Sequence, residues 1–195
     1  MSLPENIERG LAPFIKSGRA VLGIVLKGFI ERDWPANYTA PSVTQAEYLD
    51  VTVNRITDLR RGLDYLETRG DIDMSRIAYY GASVGGYGLI MPAVETRYRT
   101  VILWGGGVWK SNLQNIPEAN PINFAPYIRG PKLMIQGLYD EATRLKIESE
   151  PLYKLLREPK KLVLFKGGHR PPDEFLVPTV NGWLDEKLGP VRRND

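Results

Sequence analysis

The 195-residue chain has no cysteine and a single histidine, His169. Without cysteine there is no disulfide, no thiolate metal site and no cysteine nucleophile. No apolar run approaches the roughly 18 residues that a membrane-spanning helix needs. The first residues also lack the basic and then apolar pattern of a signal peptide. We therefore expect a single cytoplasmic domain over residues 1–195, with no membrane partner.

The charged residues point to no particular partner. The formal net charge is +3, from 26 basic and 23 acidic side chains. Basic residues are scattered among acidic ones, whereas a nucleic-acid-binding protein usually concentrates them in one stripe. Four acids lie together at a predicted helix end and turn, and we interpret them as solvated surface: Asp64, Glu67, Asp71 and Asp73. We expect no nucleic-acid partner, no metal and no cofactor.

Short apolar runs alternate with helical patterns along the chain. The predicted strands are residues 20–26, 77–80, 101–104, 133–136 and 162–165, and the predicted helices are residues 45–68, 86–97, 151–157 and 175–188. Nearly all-apolar runs of this length are typical of strands buried on both faces. Pro92 is expected to bend or interrupt the second helix. The alternation predicts an α/β protein with a parallel sheet.

A serine flanked by glycines follows the second predicted strand. Residues 81–85 read G-A-S-V-G, and a helical pattern follows them. A sharp turn from strand to helix lifts a serine hydroxyl above the sheet edge, and it needs small residues on both sides. The N–H groups at the start of the helix face developing negative charge. Ser83 is a candidate nucleophile; the alternative is a purely structural glycine turn.

A base and an acid follow later strands. His169, after two glycines and the last predicted strand, is the residue in this composition suited to be a general base near neutral pH. Asp140 follows strand 133–136 in the run G-L-Y-D-E, with Glu141 as the alternative acid. A carboxylate there can hold the tautomer of the imidazole.

Two segments carry a family resemblance. Residues 71–86 resemble the nucleophile segment of the α/β-hydrolase superfamily, on the side of the prolyl oligopeptidase-like and dienelactone hydrolase-like esterases, and residues 120–126 and 130–140 resemble the segment that leads into its acid. The likeness extends over residues 10–190. It implies a three-layer sandwich with a mostly parallel sheet. It also implies Ser83 as nucleophile, Asp140 as acid and His169 as base, in the order of that superfamily.

The front of the chain departs from the pattern of that superfamily. Residues 7–17 resemble its first helix and residues 20–26 its fourth strand, so the first three of eight strands are missing and about five are expected. Loss of the third strand leaves unpaired backbone groups between the fourth and fifth strands. Three explanations stay open: the chain is a fragment, a second copy completes the sheet in a homodimer, or the fourth strand pairs directly with the fifth.

The resemblance also bears on the surroundings of the serine. The N–H of Val84 would be one oxyanion donor, whereas the second normally comes from the loop after the missing third strand. Losing one such donor typically costs about 10²- to 10³-fold in turnover. Tyr87 and Trp109 are candidates for an apolar substrate pocket, together with Phe124 and Tyr139. Core or rim packing is the alternative for each of these aromatic side chains.

These observations lead to one expected function and two alternatives. We expect a serine hydrolase that cleaves small carboxylic esters through an acyl-enzyme, with a small-molecule ester as its substrate. The alternatives are a peptidase that acts on short peptides and a non-catalytic binding module with the same fold. Reaction of Ser83 with an acylating probe separates an enzyme from a binding module.

Overall fold

The computed structural model describes residues 5–28, 32, 44–83, 90–108 and 116–191. Its helices are α1 (Glu5–Lys16), α2 (Gln45–Glu67), α3 (Ile90–Val94), α4 (Glu150–Leu155) and α5 (Asp173–Leu188). Its strands are β1 (Ala78–Ala82), β2 (Thr100–Trp104), β3 (Lys132–Gly137) and β4 (Lys160–Phe165). None of the helices in these ranges combines the length and the apolar character needed to cross a membrane.

The four strands form one parallel sheet in the order β1-β2-β3-β4. Tyr80 lies opposite Ile102, which lies opposite Leu133 on the next strand. Because every strand runs in the same direction, the residues that follow the strands meet at one edge of the sheet. This carboxyl edge is the place where ligands bind in open parallel sheets.

Apolar side chains of the strands alternate between two cores. Leu103 and Met134 face the core that receives Leu63 of α2 and Leu152 of α4. Neighbouring strand residues point to the other face, where helices α1 and α5 pack: Ile102, Leu133 and Ile135. The central strands β2 and β3 are thus covered on both sides, which explains their largely apolar sequences. The expected three-layer α/β sandwich is confirmed.

Several predicted elements are confirmed within two residues at each end. These are the four strands after residue 76 and the helix over residues 45–68, observed as α2. A capping box begins α2, because Thr44 Oγ1 accepts from the Glu47 N–H at 3.2 Å and the Glu47 carboxylate accepts from the Thr44 N–H at 2.8 Å. The predicted helix 86–97 is too long at its end, since α3 stops at Val94 after passing Pro92.

Residues 20–26 are not a strand, so the prediction of about five strands is wrong for the described residues, which contain four. The segment lies against α2 and outside the sheet. The side chain of Ile24 reaches Gly62, the Val25 carbonyl accepts from Arg32 at 2.9 Å, and the Lys27 N–H donates to Asp58 at 3.3 Å. Contacts with α2 and side-chain hydrogen bonds thus take the place of a strand partner.

A cavity of about 640 Å³ separates residues 20–26 from β1. Apolar side chains from several elements line it, among them Leu22, Ile24, Leu63 and Leu184. Paired strands lie about 4.8 Å apart, and no backbone hydrogen bond joins this segment to β1 in the described part of the chain. In the described part of the chain, β1 is therefore an edge strand.

Two glycines in this fold are expected to respond in opposite ways to replacement by alanine. Gly130 has a φ of +69°, and a Cβ there would lie 2.6 Å from the Arg99 carbonyl oxygen. We expect Gly130→Ala to lower the free energy of unfolding by about 1–3 kcal/mol. Gly182 lies exposed within α5, where a Cβ meets nothing within 4 Å. Gly182→Ala should raise the free energy by about 0.5–1 kcal/mol. Urea unfolding measures both, and equal midpoints for the two variants would contradict the described backbone at Gly130.

Candidate active site

Ser83 follows β1 in a strained backbone conformation. Its φ is +49°, and it is the one non-glycine residue with a positive φ in the described part of the chain. A side chain in this region costs on the order of 1–3 kcal/mol and persists where the surroundings enforce it. The turn places the hydroxyl at the carboxyl edge of the sheet, as the glycine-flanked motif predicts.

The imidazole of His169 reaches the Ser83 hydroxyl. The distance from Nε2 to Ser83 Oγ is 2.7 Å, which is a short hydrogen bond. His169 lies in the turn after β4, and its side chain is about one third exposed. The ring centroid of Trp104, the last residue of β2, lies 5.8 Å from that of the imidazole. The ring is thus held from one side and open to solvent on another.

The Asp140 carboxylate holds the other nitrogen of His169, with 2.9 Å between Oδ2 and Nδ1. The same oxygen accepts from Thr143 Oγ1 at 2.7 Å and from Gln136 Nε2 at 2.8 Å. Oδ1 accepts from the backbone N–H groups of Ala142 at 2.8 Å and Thr143 at 2.9 Å. Asp140 is therefore the carboxylate at the imidazole, whereas the alternative, Glu141, is exposed.

These contacts determine the charge of Asp140. Burial by itself would raise the pKa of this carboxyl group, because the charged form loses water. Hydrogen bonds from Thr143, His169 and Gln136 outweigh that effect and hold the pKa below its ordinary value. Asp140 is thus an anion at neutral pH in spite of its burial.

The same contacts indicate the tautomer of His169. An ionised carboxylate only accepts hydrogen bonds, so Nδ1 carries the proton in the bond to Asp140. In the neutral imidazole, Nε2 is then the acceptor for the Ser83 hydroxyl. A neutral base facing a hydroxyl at 2.7 Å is arranged to take its proton.

Backbone hydrogen bonds tie the acid turn to the histidine turn. The Leu138 N–H donates to the Phe165 carbonyl at 2.9 Å, and the Tyr139 N–H donates to the Gly167 carbonyl at 2.9 Å. These bonds continue the β3–β4 pairing beyond the ends of both strands. The distance between Asp140 and His169 therefore follows from the register of the sheet.

Gly105, directly after β2, leaves room for the imidazole. Its φ is +59°, and a Cβ there would lie 2.8 Å from His169 Cε1 and 3.2 Å from Nδ1. A separation below 3.0 Å cannot be accommodated without movement of the ring. Gly105 is the first of three consecutive glycines, residues 105–107, and the lack of a side chain at this position makes room for the imidazole.

Sequence reasoning missed four residues around the site. Trp104 packs against His169, and its indole N–H donates to the Tyr80 hydroxyl at 2.7 Å. Gln136 and Thr143 donate to Asp140. The sequence gives only weak signals for these contacts. Gln136 is a polar residue in an otherwise apolar strand, and Thr143 follows Asp140 by three positions.

The remaining predicted site residues fall partly outside and partly inside the described part of the chain. Val84, Tyr87 and Trp109 lie outside the described residues. Phe124 lines a cavity near the amino ends of β3 and β4, so its assignment to a substrate pocket beside Ser83 is wrong. Tyr139 is exposed beside Asp140.

The acidic surface residues are engaged by arginines or by the backbone. Arg97 contacts Asp64 at 2.9 Å and Glu67 at 3.3 Å, and Arg69 contacts Asp71 at 2.6 Å. Asp73 accepts from the Ser75 N–H at 2.9 Å. Over the described ranges, no group of three or more histidine or acidic side chains is arranged to hold a metal ion.

Comparison with known proteins gives structural likeness only. No protein-family model and no curated protein matches the chain. A cold-adapted esterase from an Arctic intertidal metagenomic library is similar in structure, with a TM-score of 0.60 and 21% identity over 74% of this chain and 63% of that one. For dienelactone hydrolase from Anabaena variabilis the TM-score is 0.57 and the identity is 22%, over 70% of this chain and 61% of that one. For a puromycin-hydrolyzing peptidase of Mycobacterium tuberculosis the TM-score is 0.61 and the identity is 19%, over 73% of this chain and 26% of that one.

These neighbours define the fold. The chain has an α/β-hydrolase type of fold, with a four-stranded parallel sheet between helices in its described part. It spans less than two thirds of the length of each of these three neighbours. At this level of identity the likeness extends to architecture, and function has to be argued from the site itself.

The pKa of Asp140 predicts how the stability of the protein depends on pH. A carboxyl with a depressed pKa in the folded state contributes stability above its unfolded pKa of about 3.9, and loses it as pH falls through the folded pKa. Asp140→Asn should lower the free energy of unfolding at pH 7 by about 1–3 kcal/mol, because buried donors lose their acceptor. It should also flatten the decline of stability below pH 5. Urea unfolding between pH 3 and pH 7 measures both effects.

The control for this experiment is Glu141→Gln, at the neighbouring exposed position. This variant should follow the wild-type profile. Coincident profiles for Asp140→Asn and Glu141→Gln would show that the hydrogen bonds to Asp140 contribute nothing to stability.

Proposed function

We propose that the protein is a serine hydrolase that cleaves small carboxylic esters through an acyl-enzyme. One observation supports this above all: the unbroken hydrogen-bond chain from Ser83 Oγ through His169 to Asp140, with distances of 2.7 and 2.9 Å. A hydroxyl, an imidazole and a buried carboxylate in this order are the parts of an activated serine nucleophile.

In the first half of the reaction, Ser83 Oγ attacks the ester carbonyl carbon as its proton moves to His169 Nε2. The new imidazolium is balanced by the Asp140 anion, to which Nδ1 still donates. The tetrahedral intermediate collapses when the carbon–oxygen bond to the alcohol breaks. His169 returns the proton to that alcohol, so the acyl group remains on Ser83.

In the second half, water takes the place of the alcohol. His169 removes a proton from the water, the resulting hydroxide attacks the acyl carbon, and the bond to Ser83 Oγ breaks with return of the proton to that oxygen. The carboxylic acid leaves and the triad is restored. We assign the N–H of Val84 as one oxyanion donor, because the residue after the nucleophile has that role in such turns.

Esters are the favoured substrates. Their alcohol leaving group departs more easily than an amine. A short-peptide peptidase is the second candidate, since a puromycin-hydrolyzing peptidase shares the fold. Hydrolysis rates on p-nitrophenyl acetate and on an alanine p-nitroanilide separate the two, and faster anilide cleavage would favour the peptidase.

Labelling with a fluorophosphonate tests the nucleophile. Wild type should gain one adduct by intact mass, and Ser83→Ala should gain none. Labelling of His169→Ala and Asp140→Asn should slow by about 10⁴-fold or more, because the hydroxyl loses its base or the base loses its tautomer. Ser75→Ala, at an exposed serine before β1, is the control and should label like wild type.

The opposite outcomes are equally clear. An adduct on Ser83→Ala would place the reactive group elsewhere. Well-folded wild-type protein without an adduct would mean that the triad is inactive, and the binding-module hypothesis would then replace the enzyme.

The space at Gly105 gives a second test of the same site. In Gly105→Ala the new methyl group would displace the imidazole, and a shift of about 1 Å can reduce the rate by about 10²-fold. The labelling rate should fall by that order while circular dichroism stays unchanged. Gly168→Ala is the matched control beside the histidine, because the nearest atom to its Cβ is 3.9 Å away. Equal labelling rates in both variants would show that the space at Gly105 does not affect the reactivity of Ser83 through the His169 ring.

A further inference from the structure

A second cavity lies at the opposite end of the sheet from Ser83. Its volume is about 760 Å³, and it opens beside the amino ends of β3 and β4. Small-molecule pockets in proteins typically have volumes of about 300–1,000 Å³. The proposed reaction uses the carboxyl ends of the same strands, so this cavity has no part in it.

Lys132, the first residue of β3, is one of the residues that line this cavity, and its ammonium group is buried. The residue is 1% exposed, and its Nζ donates one hydrogen bond of 3.3 Å to the Ile128 carbonyl. An ammonium group has three donors. Among the described residues, no carboxylate lies within ion-pair distance of Nζ. Two N–H donors of a buried cation thus have no protein acceptor in the described part of the chain.

Such a group is costly for the fold, because a buried charge without a counter-charge loses several kcal/mol of hydration. Burial accordingly lowers the pKa of Lys132, and the nearby Glu158 carboxylate offsets part of the effect. Glu158 is itself oriented by the backbone, since its Oε2 accepts from the Lys160 N–H at 2.9 Å. A carboxylate brought by a ligand would supply the missing acceptors and charge.

The remaining charges of the cavity also favour an anion. Lys132, Arg129 and Arg157 are cationic and Glu118 and Glu158 are anionic, so three positive charges against two leave one positive charge in excess. An excess of one matches a single carboxylate better than a phosphate dianion, for which proteins commonly use several bidentate arginine contacts.

The walls of the cavity are apolar and aromatic. Phe124, Pro126 and Val94 line it, and the Tyr127 ring lies beneath the guanidinium of Arg157 at 5.7 Å. Tyr127 is 62% exposed, so part of its ring is available for a contact. These surfaces fit the aliphatic or aromatic body of an amphiphilic ligand.

We propose that this cavity binds a small monocarboxylate, with the carboxylate on Lys132 and the apolar body against Phe124 and Tyr127. This site is separate from the proposed catalytic site and does not depend on it. A ligand of this cavity needs one negative charge and one apolar surface.

Calorimetric titration of the full chain with benzoate and octanoate tests the site, with benzamide and octanamide as uncharged counterparts. We expect millimolar or tighter binding of at least one carboxylate, and at least tenfold weaker binding of its amide. Lys132→Met should weaken carboxylate binding at least tenfold. His169→Ala should leave it unchanged, which separates this cavity from product binding at the triad.

Lys160→Met is the matched control, at the first position of the neighbouring strand. Lys160 Nζ already donates to the Tyr153 and Leu156 carbonyls at 2.9 and 2.7 Å, so it has little to offer a ligand. We expect carboxylate binding to be unchanged in this variant. If Lys132→Met fails to fold, Tyr127→Ala replaces it, because this exposed ring can be removed without loss of core packing, and binding should again weaken.

Four results would overturn the proposal, three of them at the cavity itself and one at His169. The three at the cavity are the absence of millimolar binding for both carboxylates, equal affinity for acid and amide, and unchanged affinity in Lys132→Met or, in its place, Tyr127→Ala. Binding that is lost in His169→Ala would likewise assign the carboxylate to the triad.

Discussion

The hydrogen bonds to the Asp140 carboxylate are the interaction on which the arrangement of the candidate site depends. A buried anion is tolerated only where donors surround it, and here the donors come from β3, from the turn after it and from His169. Fixing this charge fixes the histidine ring, and the ring in turn defines where the serine hydroxyl must lie. The strained φ of Ser83 and the open space at Gly105 are two consequences of that requirement.

The two ends of β3 deal with buried polarity in different ways. At the carboxyl end, the Gln136 amide N–H groups reach the Asp140 carboxylate and the Thr143 carbonyl at 2.8 and 2.7 Å. At the amino end, Lys132 has a single hydrogen bond of 3.3 Å. Both residues are almost fully buried in a strand that is otherwise apolar. Both N–H donors of the Gln136 amide are bonded inside the protein, although its Oε1 has no partner among the described residues, whereas the Lys132 ammonium has one bonded donor of three.

Much of the fold could be predicted from the sequence because the two central strands of the sheet, β2 and β3, are covered on both faces. An apolar run in that position is stable only as a buried strand, because exposing Leu103 or Met134 to water would lower the free energy of unfolding. Residues 20–26 are equally apolar, yet whether they pair depends on where β1 lies relative to α2. The sequence of this segment does not specify the distance between β1 and α2, so the prediction of a strand at residues 20–26 was wrong.

The candidate site shows the same division. Ser83, Asp140 and His169 follow strand ends, and a parallel sheet brings such positions together whatever the details of packing. Gln136, Thr143 and Trp104 act through tertiary contacts that no spacing rule specifies. Local sequence thus predicts which groups come together at the sheet edge, and packing determines which groups hold them.

The contact between Trp104 and His169 has an optical consequence. The indole and the imidazole are 5.8 Å apart between ring centroids. A protonated imidazole quenches the fluorescence of a nearby indole by electron transfer, whereas a neutral imidazole does so far less. The emission of Trp104 should therefore change with the protonation of His169 in the free protein. Because the chain has four tryptophans, the part of the emission that Trp104→Phe lacks would then report the charge on His169 without any substrate.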